Sequence, residues 1–444
     1  MRQLIFGMAL VCQTAFAVAQ DPAANLSLLA GYKATFTCSG VFNTGRDIES
    51  LAANEFTGIY TDYREAFSSL PDAVIDRENK TVSVTYAKDS PPRVAAWRPY
   101  LGCAQLPTRG EATSVSALPK VALSTERTPS PLTVRLSNDE NLLKLVDAAF
   151  VPENYGGKTS AVLIVHKGNI VAEKYAEGFG PRTAQRTWSV AKSIAATIIG
   201  AAVHQGIIDV QDPTGLSVWS NANDPRSEVT LDDLLRMSSG LTSGTAGNRT
   251  DDVYFGGGRV IDHAVTNRLV REPGSHWRYA NNDTMTAVRT LREKMNDDKA
   301  FHEFPFKTLI NPLGMADTHL ETDWNGDFIL SSQVWTTSRD LARLGLLYLN
   351  DGILDGNRIL PKDWIAYVSS SAGPQPESVG YGAQFWLYGE KHELPDGVYA
   401  ARGNRGQYLF IVPSEDLLVI RRGYDSSDRF DPVKFTRYVI AVLP

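Results

Sequence analysis

The run Ser193-Ile194-Ala195-Ala196-Thr197-Ile198-Ile199-Gly200-Ala201-Ala202-Val203 leaves no strongly polar face when wound as a helix. Such a helix belongs in an interior, so the chain has to build a core around it. Directly ahead stands Ser189-Val190-Ala191-Lys192, and no other serine of the chain has a lysine three residues on. If the helix starts here, the hydroxyl lies at its N-terminus and the amine one turn further, over the same face. A neutral amine so placed can take the hydroxyl proton, and backbone N–H groups at the helix end favour the negative charge that develops. A Ser-x-x-Lys pair alone arises by chance about once in a chain of this size, so its weight depends on its surroundings.

The length suffices for about two or three domains with a sizeable core. A formal net charge of −6 and the lack of a dense basic run argue against nucleic acid as a partner, and against ionic attraction to an anionic membrane. Arg2, the apolar run Leu4 to Val11 and the small-x-small site Ala17-Val18-Ala19 read as a secretory leader over residues 1–19, with the mature chain starting near Gln20. The alternatives are a membrane anchor, for which the apolar run is too short, and lipid modification at Cys12, for which Val11 is a poor preceding residue. No later stretch is apolar enough to span a bilayer, so the expected location is the periplasm or the outside of the cell. Export leaves Cys38 and Cys103, which are expected to pair in an oxidising compartment; the alternative is two separate buried thiols. Two sulfurs alone make a poor metal site.

Residues 20–130 read as an N-terminal extension or small module. Thr81 to Tyr86 alternates like a strand and Arg93 to Arg98 suggests another. Proline and serine gather between Pro107 and Pro131 as a linker. Residues 131–444 read as one continuous unit. Ser160 to Val165 and Ile170 to Tyr175 form a hairpin around His166-Lys167-Gly168-Asn169. The Ser189 helix ends near Gly206, and Thr230 caps a short helix through Met237. Ser338 to Tyr348 is amphipathic and ends at Asn350-Asp351-Gly352. Gln407 to Val412 and Leu417 to Arg421 are strands before a last helix, from about Pro432 to Val442. The expected class is α+β: an antiparallel sheet flanked by helices, with a helical subdomain between its strands and an extra N-terminal region.

Two further segments carry chemistry. Tyr279-Ala280-Asn281 follows the turn at Pro273-Gly274, in an irregular stretch of the kind that often bears catalytic groups. A phenol there can relay protons if a lysine ammonium lowers its pKa, and the amide can hold a carbonyl or the lysine. Tyr348-Leu349-Asn350 has the same spacing, but Tyr348 falls on an apolar helix face and reads as core. Near the C-terminal strands, Ala401-Arg402-Gly403-Asn404-Arg405-Gly406-Gln407 allows a strand edge to approach a substrate closely; the alternative is a glycine bulge made for packing.

In this order, Ser-x-x-Lys on a helix, Tyr-x-Asn on a loop and a glycine-rich strand before a terminal helix resemble the penicillin-recognising serine hydrolases. The likeness is to the branch of class C β-lactamases, D-alanyl-D-alanine carboxypeptidases, related esterases and 6-aminohexanoate-dimer hydrolases. Leu234-Leu235-Arg236-Met237-Ser238-Ser239-Gly240-Leu241, Pro312-Leu313-Gly314-Met315 and Asp340-Leu341-Ala342-Arg343 resemble the same branch. The resemblance implies a β-lactamase/transpeptidase-like fold over roughly residues 150 to 440. It implies Ser189 as nucleophile, Lys192 as general base and Tyr279 as proton shuttle. It further implies Asn281 as a polar contact to the lysine or substrate, and an oxyanion hole from the N–H groups of Ser189 and, beside Gly403, Asn404. No metal or cofactor is implied, and no histidine falls in a His-Glu-x-x-His pattern.

One departure bears on substrate. Where lactamases and peptidases of this kind carry Lys-Thr-Gly, this chain has Ala401-Arg402-Gly403. Arg402 or Arg405 are the candidates to replace the missing cation, although a guanidinium has a longer reach and a fixed plane. Trp188 and a loop residue, Trp335, are candidate walls of an acyl pocket, or else core. The expected partner is a small ester, amide or peptide substrate. An exported esterase or 6-aminohexanoate-dimer-hydrolase-like amidase comes first, a β-lactamase or D-alanyl-D-alanine carboxypeptidase second, and a non-catalytic binder of cell-wall fragments or peptides third.

Overall fold

The computed structural model describes residues 22–110, 112–123, 132–243 and 250–443. The expected leader, with Cys12, lies outside the described residues, and so do Glu111 and residues 124–131 of the expected linker. Among the described residues no helix is long and apolar enough to cross a membrane.

An eight-stranded sheet organises the later part of the chain. In spatial order its strands are Gly380–Tyr381, Trp386–Tyr388, Val398–Gly403, Gln407–Val412, Leu417–Gly423, Thr159–His166, Asn169–Tyr175 and Thr133–Val134. All neighbours are antiparallel except the last pair. The expected hairpin forms, its turn made by Lys167 and Gly168 with φ of 49° and 72°, the left-handed pair that matches the twist of the flanking strands.

Strand alternation feeds a core on each face. Leu163, Val165, Leu409 and Ile411 point to the side occupied by the helices Val190–His204 and Ser338–Leu349. Val162, Ile164, Phe410 and Val412 point to the side covered by Glu140–Ala148 and Pro432–Val442. Between the strands Asn169–Tyr175 and Gly380–Tyr381 the regular structure of the described residues is mostly helical, which is the expected insertion. Thr230 caps Leu231–Leu235 in a reciprocal capping box with Asp233.

The helix Val190–His204 sits deepest. Thirteen of its fifteen residues are buried, as an all-round apolar sequence requires. Tyr348 is core, 2% exposed, with its hydroxyl 2.8 Å from Thr197 Oγ1.

Residues 22–105 pack on the rest of the molecule. The helix Pro22–Phe42 covers a four-stranded sheet, Val74–Asp76, Thr81–Val84, Arg93–Arg98 and Gly102–Gln105. Cys38 and Cys103 form a disulfide across a separation of 65 residues, worth about 4 kcal/mol in the chain-entropy account. The core here is shared: Leu29, Tyr32 and Phe36 pack with Val253, Phe255, Met285 and Ile329. Buried Glu321 accepts hydrogen bonds from Ser39 Oγ (2.6 Å), Asn43 Nδ2 (2.9 Å) and Cys103 N (3.2 Å). Within the expected linker, residues 112–123 include a short helix, Ala112–Ser116, and bury Leu118 and Val121.

Candidate active site

Ser189 occupies the position before the first turn of Val190–His204, with φ −67° and ψ −4°. The turn is tight: Val190 N–H bonds Thr187 O, Ala191 N–H bonds Trp188 O and Lys192 N–H bonds Ser189 O. Trp188 ahead of it has φ 49°, a left-handed conformation that costs an aromatic residue about 1–3 kcal/mol and persists only where neighbours enforce it.

Lys192 is 1% exposed. Its Nζ lies 2.6 Å from Asn281 Oδ1, 2.8 Å from Ser331 O and 3.2 Å from Ser189 Oγ. Burial pushes the amine pKa well below lysine's ordinary range, because the charged form loses its hydration. Two of the three partners are carbonyl oxygens, which only accept. A neutral amine there can give both N–H groups to these carbonyls and turn its lone pair to the serine hydroxyl.

Tyr279 comes in from the segment before helix Asn281–Met295. Its hydroxyl shares a hydrogen bond with Ser189, and its ring centroid lies 4.9 Å from Lys192 Nζ. Trp386, Tyr381 and Trp277 surround it, with centroids 5.5, 6.1 and 6.5 Å away. The expected lowering of the Tyr279 pKa by a lysine ammonium is not found. Burial raises it, so the group is a neutral phenol beside an amine whose pKa burial lowers. Asn281 opens its helix and is not a loop residue. Besides accepting from Lys192, its Nδ2 reaches Thr250 Oγ1 at 3.4 Å.

Gly403 ends its strand against the backbone of Thr187 and Ser189. A Cβ here would stand 2.2 Å from Thr187 O and 3.1 Å from Ser189 N, so only glycine lets the sheet come this close. Asn404 follows, exposed, in the turn that leads back to Gln407. Thus Ser189, Lys192, Tyr279 and Asn281 share one hydrogen-bonded cluster, and Gly403 abuts its backbone.

Two candidates change place. Arg405 is no substrate contact: it is buried, donating to Asn54 O, Glu55 O and Thr57 Oγ1 of the N-terminal region and to Tyr424 O and Asp425 O. Trp335 lies in the strand Val334–Thr336, not in a loop, and is core at 1% exposure. Ala401, at the position expected of a lysine, is buried on the helix side. Arg402 remains half-buried, bonded to Tyr388 Oη at 2.7 Å with its guanidinium 5.4 Å from the Trp386 ring centroid. Trp188 is half-buried under the guanidinium of Arg186, 3.8 Å from its ring centroid.

Sequence reading missed Ser331 and Tyr254. The Ser331 carbonyl holds Lys192, while Ser331 Oγ lies 2.8 Å from Tyr254 Oη. Neither residue sits in a spacing that marks chemistry, since their role exists only through the tertiary contact.

Residues 147–428 match the family described as Beta-lactamase. A 6-aminohexanoate-dimer hydrolase of Paenarthrobacter ureafaciens is 24% identical over 301 residues, which cover 59% of this chain and 72% of that protein. Among solved structures, a family VIII carboxylesterase superposes with a TM-score of 0.55 at 15% identity, covering 69% of this chain and 98% of that one. A class C beta-lactamase mutant does so with 0.51 at 14% identity, covering 70% and 100%. With the family match spanning well over half its length, the chain belongs to the beta-lactamase family, within the serine hydrolase superfamily.

Proposed function

We propose that this chain is an exported hydrolase that cleaves an ester or linear amide bond through an acyl-enzyme on Ser189. The observation that carries the reading is the placement of the buried Lys192 amine, held by two carbonyl oxygens 3.2 Å from the Ser189 hydroxyl. In the first half-reaction Ser189 Oγ attacks the substrate carbonyl carbon and its proton passes to Lys192. The oxyanion that forms is met by the N–H groups of Ser189 and Asn404. As the bond to the leaving group breaks, Tyr279 passes the proton to the departing oxygen or nitrogen. Water then attacks the acyl-enzyme along the same route in reverse, releasing the acid and restoring the Ser189 hydroxyl. Asn281 and Ser331 orient the lysine amine throughout.

Esters and linear amides are favoured over β-lactams because no lysine occupies the strand that lies against the nucleophile. Ala401 is apolar and buried, and Arg402 is engaged by Tyr388 and Trp386. A substrate carboxylate therefore lacks its usual cation, whereas an uncharged ester loses nothing. The activity named for the 24% identical relative and the carboxylesterase neighbour accord with this ranking. Export accords with the disulfide.

The test is a side-by-side assay of p-nitrophenyl butyrate, a linear 6-aminohexanoate dimer and nitrocefin. Turnover of the butyrate or the dimer at least tenfold above nitrocefin in kcat/KM is expected, on the order of one lost ionic contact. Nitrocefin as the best substrate would reverse the ranking and make the chain a β-lactamase. Gly403→Ala is expected to cost on the order of 10²-fold in kcat, since the added methyl must push the strand away from Thr187 and Ser189. An unchanged kcat would remove this strand from the oxyanion site.

A further inference from the structure

We propose that the disulfide-tethered N-terminal helix is a working part of the active site: Phe36 steadies Arg186, and Arg186 ties the turn that presents Ser189 to the segment whose carbonyl holds Lys192. The inference rests on the acyl-enzyme reading above. Phe36 is buried on the helix Pro22–Phe42, two residues before the disulfide-bonded Cys38. Its ring stacks on Tyr32 at 4.2 Å and 11° and meets Trp335 edge-on at 6.5 Å, which fixes the ring plane. The guanidinium carbon of Arg186 lies 4.6 Å from the Phe36 ring centroid, 3.8 Å from that of Trp188 and 5.5 Å from that of Tyr254.

Arg186 is 3% exposed, and aromatic faces surround its charge where a carboxylate would be usual. What it touches gives it consequence. On one side its guanidinium packs on Trp188, whose left-handed backbone presents Ser189. On the other, Nη2 donates to Ser332 Oγ at 2.7 Å and Nε to Ser332 O at 3.4 Å. Ser332 directly follows Ser331, the carbonyl partner of Lys192. The nucleophile and the base ride on one helix start, the carbonyl that holds the base comes from a separate segment, and one guanidinium bridges the two. Phe36, supplied by a region outside the 147–428 family match, packs against that guanidinium and lies 6.4 Å, centroid to centroid, from the Trp188 ring. A positioning error of about 1 Å in such a pair can cost on the order of 10²-fold in rate, so the steadying contact matters to turnover as well as to stability.

The test compares Phe36→Leu, Arg186→Lys and the double variant, with p-nitrophenyl butyrate turnover expressed per site titrated by a fluorophosphonate. Leucine keeps apolar bulk without the aromatic face, and lysine keeps the charge without the planar fork. Each single change is expected to lower kcat about tenfold with KM within about twofold, and the double variant to fall no more than about twofold below the weaker single, since both break one link. Should Arg186→Lys not fold, Phe36→Leu decides alone. A lower Tm with kcat per titrated site within twofold of wild type makes Phe36 mere packing and overturns the inference, as does a multiplicative loss in the double variant. A wild-type protein that neither labels nor hydrolyses ester removes the acyl-enzyme reading itself, and this inference with it.

Discussion

Ser189→Ala is expected to abolish ester turnover, with a loss on the order of 10⁴-fold or more, because no covalent intermediate can form without the hydroxyl. The fold provides its own control for this variant. The Ser189 side chain makes no capping hydrogen bond to its helix, so alanine removes none of the helix's backbone bonds and Tm should stay close to that of wild type. The helix is held by its thirteen buried residues and by the tight backbone turn from Thr187 to Lys192. Circular dichroism with a butyrate assay separates the two effects. Turnover retained at a tenth of the wild-type rate or better would place the nucleophile elsewhere.

Lys192→Met is expected to slow acylation by about 10²–10⁴-fold, the usual worth of a positioned general base, and to stabilise the protein at neutral pH. Both follow from one fact, that this amine is buried against two carbonyl oxygens and a hydroxyl. In the folded state its pKa lies well below the ordinary 10.5. Between the folded and unfolded values the unfolded chain binds more protons, so the wild-type protein gains stability from this group as pH rises through that window. The advantage of the methionine variant should therefore be largest on the acidic side and shrink as pH approaches the unfolded value. Activity follows the same titration in the same direction: kcat/KM should rise with pH as Lys192 loses its proton and level off well below pH 10.5. Guanidine melts of both proteins at several pH values, alongside the pH–rate profile, check the sign. A rate that falls as pH rises through this window would show that an ammonium, not an amine, does the work.

What was legible in the chain beforehand is what local chemistry encodes. The hairpin around Lys167-Gly168, the helix behind Ser189 and the cap at Thr230 each carry their own turn, period or capping residue, and each formed within a residue or two of its expected bounds. The helix Asn281–Met295 was hidden by its own composition. Its first half buries Asn281, Asn282, Asp283, Thr284 and Thr286, so no apolar stripe marks it. Strands such as Gly380–Tyr381 and Val334–Thr336 are too short to show alternation. The cluster of Ser189, Lys192, Tyr279 and Gly403 could be named because each belongs to a spacing with a chemical reason. The fates of Arg405 and Trp335 could not, since both are settled by what the N-terminal region presses against them. The expected lowering of the Tyr279 pKa fails for a related reason. Charge states in a buried pair depend on lost hydration, which no spacing records.

The central claim is a covalent bond at one oxygen, and intact-mass spectrometry with peptide mapping after fluorophosphonate treatment tests it most directly. The account predicts one adduct per chain, on the peptide that contains Ser189, slowed strongly in Lys192→Met and absent in Ser189→Ala. An unmodified wild-type chain, or an adduct that persists in Ser189→Ala, would contradict it.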